Sequence, residues 1–106
     1  MPAALLAEAH AAFPEDAEVC WALGHQMDEA GGSRESRRLL AQAAVLLAAE
    51  GDSTRVEELF TRLLDAPEGS VHRQLIRAVE ELAAHGKAAA AAPLFDSLLT
   101  GAALHG

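Results

Sequence analysis

The chain has 106 residues, 51% of them hydrophobic and 4% aromatic, and its 16 acidic and 8 basic residues give a formal net charge of −8. This acidity argues against nucleic acids and membranes as partners, because nucleic acids and anionic membranes attract a positive surface. A chain of this length is expected to form a single domain, residues 1–106. The lone cysteine, Cys20, cannot form an internal disulfide, which favours a cytoplasmic location.

The composition also selects the fold class. The sequence contains 25 Ala and 16 Leu, which enter helices at little cost in side-chain entropy. It contains no Tyr and few β-branched residues, which are the residue types that favour sheets. These frequencies predict an all-α protein.

Helix-breaking residues divide the chain into six apolar segments. The breakers are Pro14, Gly31, Gly32, Gly51, Pro67, Gly69, Gly86 and Gly101. They predict helices over residues 3–12, 16–30, 34–50, 54–65, 71–85 and 89–100. Because the connections are short, we expect about six helices in which consecutive helices run antiparallel.

Side chains able to cap a helix N-terminus precede four of these segments. They are Asp16, Ser33, Ser53 or Thr54, and Ser70. Thr54 and Glu57 also have the spacing of a capping box. The sixth segment contains Pro93, which lacks a backbone N–H, so we expect that helix to start late, near Ala90, or to kink.

The third and fifth segments show the buried face most clearly. In the third, an apolar stripe lies opposite Arg34, Arg38 and Gln42, and its members are Leu39, Leu40, Ala43, Leu46 and Leu47. In the fifth, a similar stripe lies opposite Glu80 and Glu81, and its members are Leu75, Ala78, Val79 and Leu82.

An internal repeat relates the last four segments. Shifting the chain by 35 residues aligns 11 identical residues between segments 38–64 and 73–99. The matches include Gly51 with Gly86 and Phe60 with Phe95, which richness in alanine and leucine does not explain. A period of this length with one glycine between two helices is typical of stacked helical hairpins.

The sequence resembles the tetratricopeptide repeat family, whose two-helix units recur about every 34 residues. Leu23, Gly24, Met27 and Gly31 fit the first helix of that pattern. Further matches are Leu6, Ala9 and Pro14 before it, Ser36, Leu40 and Ala43 after it, and Leu75, Ala78, Val79, Leu82, Gly86, Ala91, Phe95 and Leu98 in a later unit. The resemblance covers most of the chain and implies helical hairpins stacked into a protein-binding surface.

The repeat register is irregular. Gly31 and Gly51 anchor two overlapping units that lie 20 residues apart. The third helix would therefore be the second helix of one hairpin and the first helix of the next. A regular superhelix cannot satisfy both registers, so a compact six-helix bundle is the alternative to the tetratricopeptide-like stack.

Seven of the eight basic residues are arginines, whose planar guanidinium binds carboxylates through paired hydrogen bonds. Arg34, Arg37 and Arg38 crowd the start of the third helix, where positive charge is unfavourable. A local cost of this kind is often tolerated at a functional site, so they are candidate partner-binding residues. The structural alternative is that they pair with the adjacent acidic turn at Asp28 and Glu29.

The family resemblance implies a second group of candidates. Arg73 and Arg77 fall at positions where some peptide-binding members carry basic residues that clamp a carboxylate, and Gln42 lies at a related polar position. The ordinary alternative for Arg77 is pairing with Glu80 or Glu81 within its own helix.

Trp21 and His25 fall at clamp positions where those family members carry Lys and Asn, so a complete clamp is not expected. Trp21 is nevertheless a candidate for lining a binding groove, because Trp is favoured at binding hot spots, and the alternative is a place in the core. Cys20 and His25 lie on different faces of one helix. We therefore expect no catalytic residues.

These observations predict a non-catalytic adaptor or chaperone-like module that binds another protein or an acidic peptide segment, without cofactor or metal. The candidate partner-binding residues are Arg34, Arg37, Arg38, Gln42, Arg73, Arg77 and Trp21. One alternative is a self-assembling six-helix module that signals or builds a complex through homotypic contacts. The other is a metal-binding or metalloenzyme-accessory protein with ligands drawn from His10, Cys20, His25 and His72.

Overall fold

The computed structural model describes the backbone of residues 3–105 and the side chains of residues 4–100. This part of the chain is all-α and forms six helices, which are α1 (Ala3–Ala12), α2 (Ala17–Glu29), α3 (Arg34–Ala49), α4 (Ser53–Leu63), α5 (Gly69–Ala84) and α6 (Ala88–His105). Connections of three to five residues join them. The predicted fold class and number of helices are confirmed, although α6 extends five residues beyond its predicted end.

Two of the predicted N-caps are confirmed. The carboxylate of Asp16 accepts a hydrogen bond of 3.1 Å from the backbone N–H of Val19 at the start of α2. At the start of α3, the hydroxyl of Ser33 accepts from the N–H of Ser36 at 3.1 Å, and the hydroxyl of Ser36 accepts from the N–H of Ser33 at 2.8 Å. This reciprocal pair satisfies two backbone donors that the start of a helix leaves without partners.

The start of α4 differs from the prediction. Asp52 occupies the N-cap position and accepts a hydrogen bond of 3.2 Å from the N–H of Arg55, so Ser53 and Thr54 lie inside the helix. The capping box predicted for Thr54 and Glu57 is therefore wrong. The reason is that aspartate caps a helix as well as serine does, and Asp52 comes first in the chain.

The start of α5 also differs from the prediction, because the helix begins at Gly69 and places the expected cap Ser70 inside it. Glu68 occupies the N-cap position but makes no capping hydrogen bond. Its carboxylate is held instead by the guanidinium of Arg37 on α3. A tertiary ion pair thus takes the place of a local cap at this helix start.

Pro93 lies inside α6. The helix begins at Ala88, so the late start predicted near Ala90 is wrong. The carbonyl of Lys87 accepts hydrogen bonds from the N–H groups of Ala90 and Ala91, at 3.0 and 2.9 Å, and the helix is established before the proline. Because Pro93 is exposed, water can bind the carbonyl that loses its helical donor.

The central helix of the fold is α3, which packs against α2, α4 and α5. Its buried apolar residues cover more than one side of the helix and are Leu39, Leu40, Ala41, Ala43, Ala44, Leu47 and Ala48. Four of the five residues of the predicted apolar stripe are among them, and Leu46 is half-buried. The alanines on the remaining sides let neighbouring helices approach closely.

The helices α2 and α3 approach each other closely at Gly24. A Cβ atom at this position would lie 3.0 Å from the Cγ and Cδ2 atoms of Leu40 and 3.1 Å from its backbone nitrogen. A larger residue would therefore push the two helices apart. The neighbouring Leu23 joins Leu6 and Leu39 in a small apolar cluster that connects α1, α2 and α3.

The 35-residue repeat corresponds to two helical hairpins, α3–α4 and α5–α6. Leu40, Ala43, Leu47, Leu59 and Leu63 of the first are buried, and so are their counterparts Leu75, Ala78, Leu82, Leu94 and Leu98. Gly51 and Gly86 occupy the same turn position, with φ angles of 77° and 79° that favour glycine. The two hairpins therefore share these five buried positions and their turn.

Large apolar side chains are exposed at both ends of the array of helices. They are Leu5 and Phe13 at the α1 end and Ile76, Phe95 and Leu99 at the α6 end. Within residues 3–105, no helix combines the length and the apolar character needed to cross a membrane.

Candidate partner-binding groove

A groove opens between α3 and α5 at the first turns of α5. Its volume is about 170 Å³, and it is lined by Arg38, Ala41 and Gln42 of α3 and by Ser70, Val71 and Gln74 of α5. Ala41 and Val71 are buried and form an apolar floor, whereas the other four side chains are polar. The structure thus brings two predicted partner-binding residues, Arg38 and Gln42, together in one groove.

The repeat relates the two groove residues of α3 to two arginines of α5. Arg73 and Arg77 occupy the positions equivalent to Arg38 and Gln42, 35 residues later in the chain. Each pair is spaced one helical turn apart, and α3 packs directly against α5. Neither Arg73 nor Arg77 lines the groove, whose α5 residues are Ser70, Val71 and Gln74.

The neighbouring arginines Arg37 and Arg38 form different ion pairs. Arg37 donates to both carboxylate oxygens of Glu68, whose side chain is only 13% exposed, and these hydrogen bonds hold the pKa of Glu68 below its usual value. Arg38 pairs with Glu35 at 2.7 Å, one turn away, and both side chains are largely exposed. An exposed pair contributes roughly 0–1 kcal/mol, so Arg38 can exchange Glu35 for a partner's carboxylate. Arg37 instead stabilises the packing of α3 on α5.

Trp21 does not line the groove. Its half-buried ring packs on the main core cluster and lies 5.0 Å from the ring of His25, edge to face. The guanidinium carbon of Arg55 lies 5.4 Å from the centre of the Trp21 ring, and Arg55 also pairs with Glu18 at 2.6 Å. Through these contacts, Trp21 connects α2 to α4.

An arginine of α4 binds the acidic C-terminal end of α2. Asp28 accepts a hydrogen bond of 3.0 Å from Arg62, and the same guanidinium donates to Nδ1 of His25 at 3.1 Å. None of the three arginines at the start of α3 forms an ion pair with Asp28 or Glu29 in the described part of the chain, so that structural alternative is wrong. The distant Arg62 reaches Asp28 because α2 and α4 both pack on α3.

Three arginines, Arg34, Arg73 and Arg77, make no ion pair among the side chains that the structure describes. The alternative pairing of Arg77 with Glu80 or Glu81 is not formed among these side chains, and a carboxylate oxygen of Glu81 lies 3.5 Å from Nε2 of His85 instead. Together with Arg38, these three are the guanidinium groups available to an external carboxylate.

Gln42 connects the groove to the turn between α1 and α2. Its side-chain amide donates a hydrogen bond of 3.0 Å to the carbonyl of Pro14. The same turn carries Phe13, which is 65% exposed and lines a shallow depression formed by residues 12–16. An exposed aromatic side chain is therefore next in the chain to the residue that Gln42 contacts.

Ser70, Gln74 and Phe13 are not among the site residues predicted from the sequence. The sequence predicts a cap at Ser70, although Ser70, Gln74 and Arg77 recur at intervals of four and three residues, which places them on one face of α5. That polar stripe was the available signal. Phe13 gave none, because an aromatic residue before a proline is equally compatible with the core.

The chemistry around Cys20 favours a structural role. Its Sγ lies 3.6 Å from Nδ1 of His10 and 3.4 Å from the carbonyl of Pro14. Burial, with a smaller effect of the Asp16 charge, raises the pKa of the thiol, which makes it a poor nucleophile. His25 contacts Arg62 instead, and the described residues include no group of three His, Cys, Asp or Glu that could hold a metal ion.

No protein-family model matches the chain, and no curated protein or solved structure is significantly similar to it. The resemblance to tetratricopeptide repeats therefore stays a prediction that rests on the residues quoted above. The groove between α3 and α5 and its arginines are the basis for assigning a function.

Proposed function

We propose that this chain is a non-catalytic interaction module, built from tetratricopeptide-like hairpins, that binds an acidic segment of a partner protein between α3 and α5. The observation that carries the proposal is the groove that unites Arg38 and Gln42, with equivalent positions on α5 occupied by Arg73 and Arg77. Arg73 and Arg77 have no internal carboxylate among the described side chains, and Arg38 has a weak one.

Charge explains why a partner would prefer this face. The chain carries a net charge of −8, so most of its surface repels an acidic segment. The guanidinium of Arg38 in the groove, together with those of Arg73 and Arg77 on α5, would offset that repulsion locally and can bind carboxylates with paired hydrogen bonds. Ser70 lies in the first turn of α5, so the positive end of that helix dipole is at the groove.

The apolar floor supplies the second part of the recognition. Ala41 and Val71 leave space for a small apolar side chain of the partner between the two helices. Phe13, on the neighbouring turn, offers an exposed ring for a further apolar contact. The best ligand would therefore alternate acidic residues with small or medium apolar residues.

The proposal can be tested with a fluorescein-labelled hexapeptide that contains three Glu and two Leu residues and ends in a free carboxylate. Fluorescence anisotropy should show saturable binding of this peptide and none of the counterpart with Lys in place of Glu. Arg73→Glu combined with Arg77→Glu should abolish binding without loss of helicity in circular dichroism, since both residues are exposed.

Single variants locate the site. Arg38→Glu should weaken binding roughly tenfold or more, since one charge-assisted hydrogen bond is worth about 1.5–3 kcal/mol. Lys87→Glu is the matched control, because it makes the same charge change at an exposed position in the turn between α5 and α6. Equal losses in Arg38→Glu and Lys87→Glu would show that only the net charge matters and would refute the groove.

A further inference from the structure

The polar residues of α3 continue beyond the groove. Arg34, Arg38 and Gln42 recur every four residues and so follow one side of α3, with Arg34 one turn before the two groove residues. The hydrogen bonds from Arg37 lower the pKa of Glu68, and the charge of Arg34 lowers it further, so this second guanidinium lies near the residue that precedes α5. Because Arg34 is exposed, it extends the positive charge of the groove by one helical turn.

The two arginines on this side of α3 differ in what neutralises them. Arg38 donates to both oxygens of the Glu35 carboxylate, at 2.7 and 3.2 Å, and this pair is exposed. Arg34 forms no ion pair among the described side chains, and the nearby carboxylate of Glu68 is already paired with Arg37. An acidic ligand would therefore give Arg34 an ion pair and would replace Glu35 at Arg38.

The neutral polar side chains of the groove match a peptide main chain. The side-chain amide of Gln42 donates to the carbonyl of Pro14, and since a carbonyl can only accept, the amide oxygen of Gln42 is left as an acceptor. On α5, the side chains of Ser70 and Gln74 make no hydrogen bond to another described residue, so their donors and acceptors are also available. An extended peptide has main-chain N–H and C=O groups that need such partners, whereas a helix bonds its own.

We propose that the groove binds an extended segment of the partner in which one residue separates two acidic residues, so that their carboxylates pair with Arg34 and Arg38 and the adjoining main chain meets the two glutamines. This inference specifies the ligand of the proposed function and rests on it. Arg34 and Arg38 are one helical turn apart, which is about 6 Å along the axis of α3. Residues two apart in an extended chain are about 6.7 Å apart and point to the same side, so the two spacings match.

Other spacings of the acidic residues do not match an extended segment. Adjacent residues point to opposite sides of an extended chain, so only one of two adjacent acids could reach an arginine. Residues four apart are about 13 Å apart, which is more than twice the spacing of the two arginines. A helical ligand has the opposite preference, because its residues four apart lie about 6 Å apart on one face. The preferred spacing therefore reports the conformation of the bound segment.

Four fluorescein-labelled peptides of the same length and composition test this spacing. Each contains two Glu among Ala, Ser and Gly residues, with the acids one, two, three or four positions apart, and both ends are blocked so that no terminal charge contributes. Fluorescence anisotropy should show that the peptide with acids two positions apart binds about tenfold more tightly than the others, since each of those loses one charge-assisted hydrogen bond. Tightest binding of the peptide with acids four positions apart would indicate a helical ligand and would overturn the proposal.

Charge reversal assigns the acids to their arginines. Arg34→Glu should weaken binding of the peptide with acids two positions apart about tenfold, and replacing one of its two Glu by Lys should restore binding to this variant. A negative charge is favourable in the first turn of a helix, so the variant should fold, and Arg34→Gln replaces it if circular dichroism shows a loss of helicity. Lys87→Glu is the matched control and should keep the preference for this spacing. Unchanged binding to Arg34→Glu would overturn the assignment.

The contact with the main chain has its own variant. Gln74→Leu removes no charge and should weaken binding of the same peptide about two- to tenfold, because it removes a neutral hydrogen bond. An unchanged affinity would overturn that contact. Failure of the proposed function would be seen as no binding of the acidic hexapeptide or of any of the four peptides. If the hexapeptide binds and the four peptides have equal affinities, only the extended acid pair is overturned.

Discussion

Replacing Phe60 with alanine should destabilise the fold far more than the same change at Phe95, although the two residues are equivalent in the repeat. Phe60 is 1% exposed and lies in the main core cluster, so its truncation leaves a cavity and should cost about 3–5 kcal/mol. Phe95 is 45% exposed. Its truncation loses about half of the free energy of burying a phenylalanine side chain, and solvent fills the space. Phe95→Ala should therefore cost roughly 1 kcal/mol of folding free energy.

Urea unfolding followed by circular dichroism measures the difference. A slope of about 1.5 kcal/mol per molar urea converts these values into midpoint decreases of about 2–3 M for Phe60→Ala and about 0.7 M for Phe95→Ala. Equal decreases in the two variants would contradict the different burial of these two equivalent residues.

Three further outcomes follow from individual contacts. Gly24→Ala should cost about 1–3 kcal/mol in urea unfolding, because the new Cβ meets Leu40 at 3.0 Å, and an unchanged midpoint would contradict that close approach. Glu68→Gln should lower the urea midpoint at pH 7, and its difference from the wild type should shrink as the pH falls below the ordinary carboxyl pKa of about 4, because the stabilisation from a carboxyl pKa lowered by Arg37 is complete above the unfolded pKa and is lost as the pH falls through the folded pKa. Cys20 should react with a thiol reagent at least about 100-fold more slowly in folded than in urea-unfolded protein, and equal rates would exclude burial.

Local signals were sufficient to predict the helices. Glycines and prolines end them, and the caps at Asp16 and Ser33 lie where the sequence placed them. The starts of α4 and α5 were predicted wrongly for different reasons. At α4 the competing cap Asp52 is one residue away, whereas at α5 the carboxylate of Glu68 is bound by a residue from another helix.

The carboxylate that each arginine binds could not be predicted from the sequence. Arg37 and Glu68 are 31 residues apart and Arg62 and Asp28 are 34 residues apart, so each pair depends on how α3 brings the other helices together. Adjacent arginines on one helix are consequently used differently. Arg37 holds the start of α5, and Arg38 lines the groove.

The candidate site was predicted in part. The repeat offset already related Arg38 and Gln42 to Arg73 and Arg77, and the groove contains the first pair. Trp21 was also a candidate, but the structure packs its ring between His25 and Arg55. A side chain's position on a helix face predicts exposure, whereas its partner depends on tertiary packing.

The measurement that tests the proposed function most directly is a nuclear magnetic resonance titration of ¹⁵N-labelled protein with the acidic hexapeptide. Binding in the groove should shift the backbone amide signals of Gln42, Ser70 and Gln74 first and most strongly, and the Lys-containing peptide should leave them unchanged. Shifts confined to α1 and α2, or no shifts at millimolar peptide, would contradict the assignment of the α3–α5 groove as the binding site.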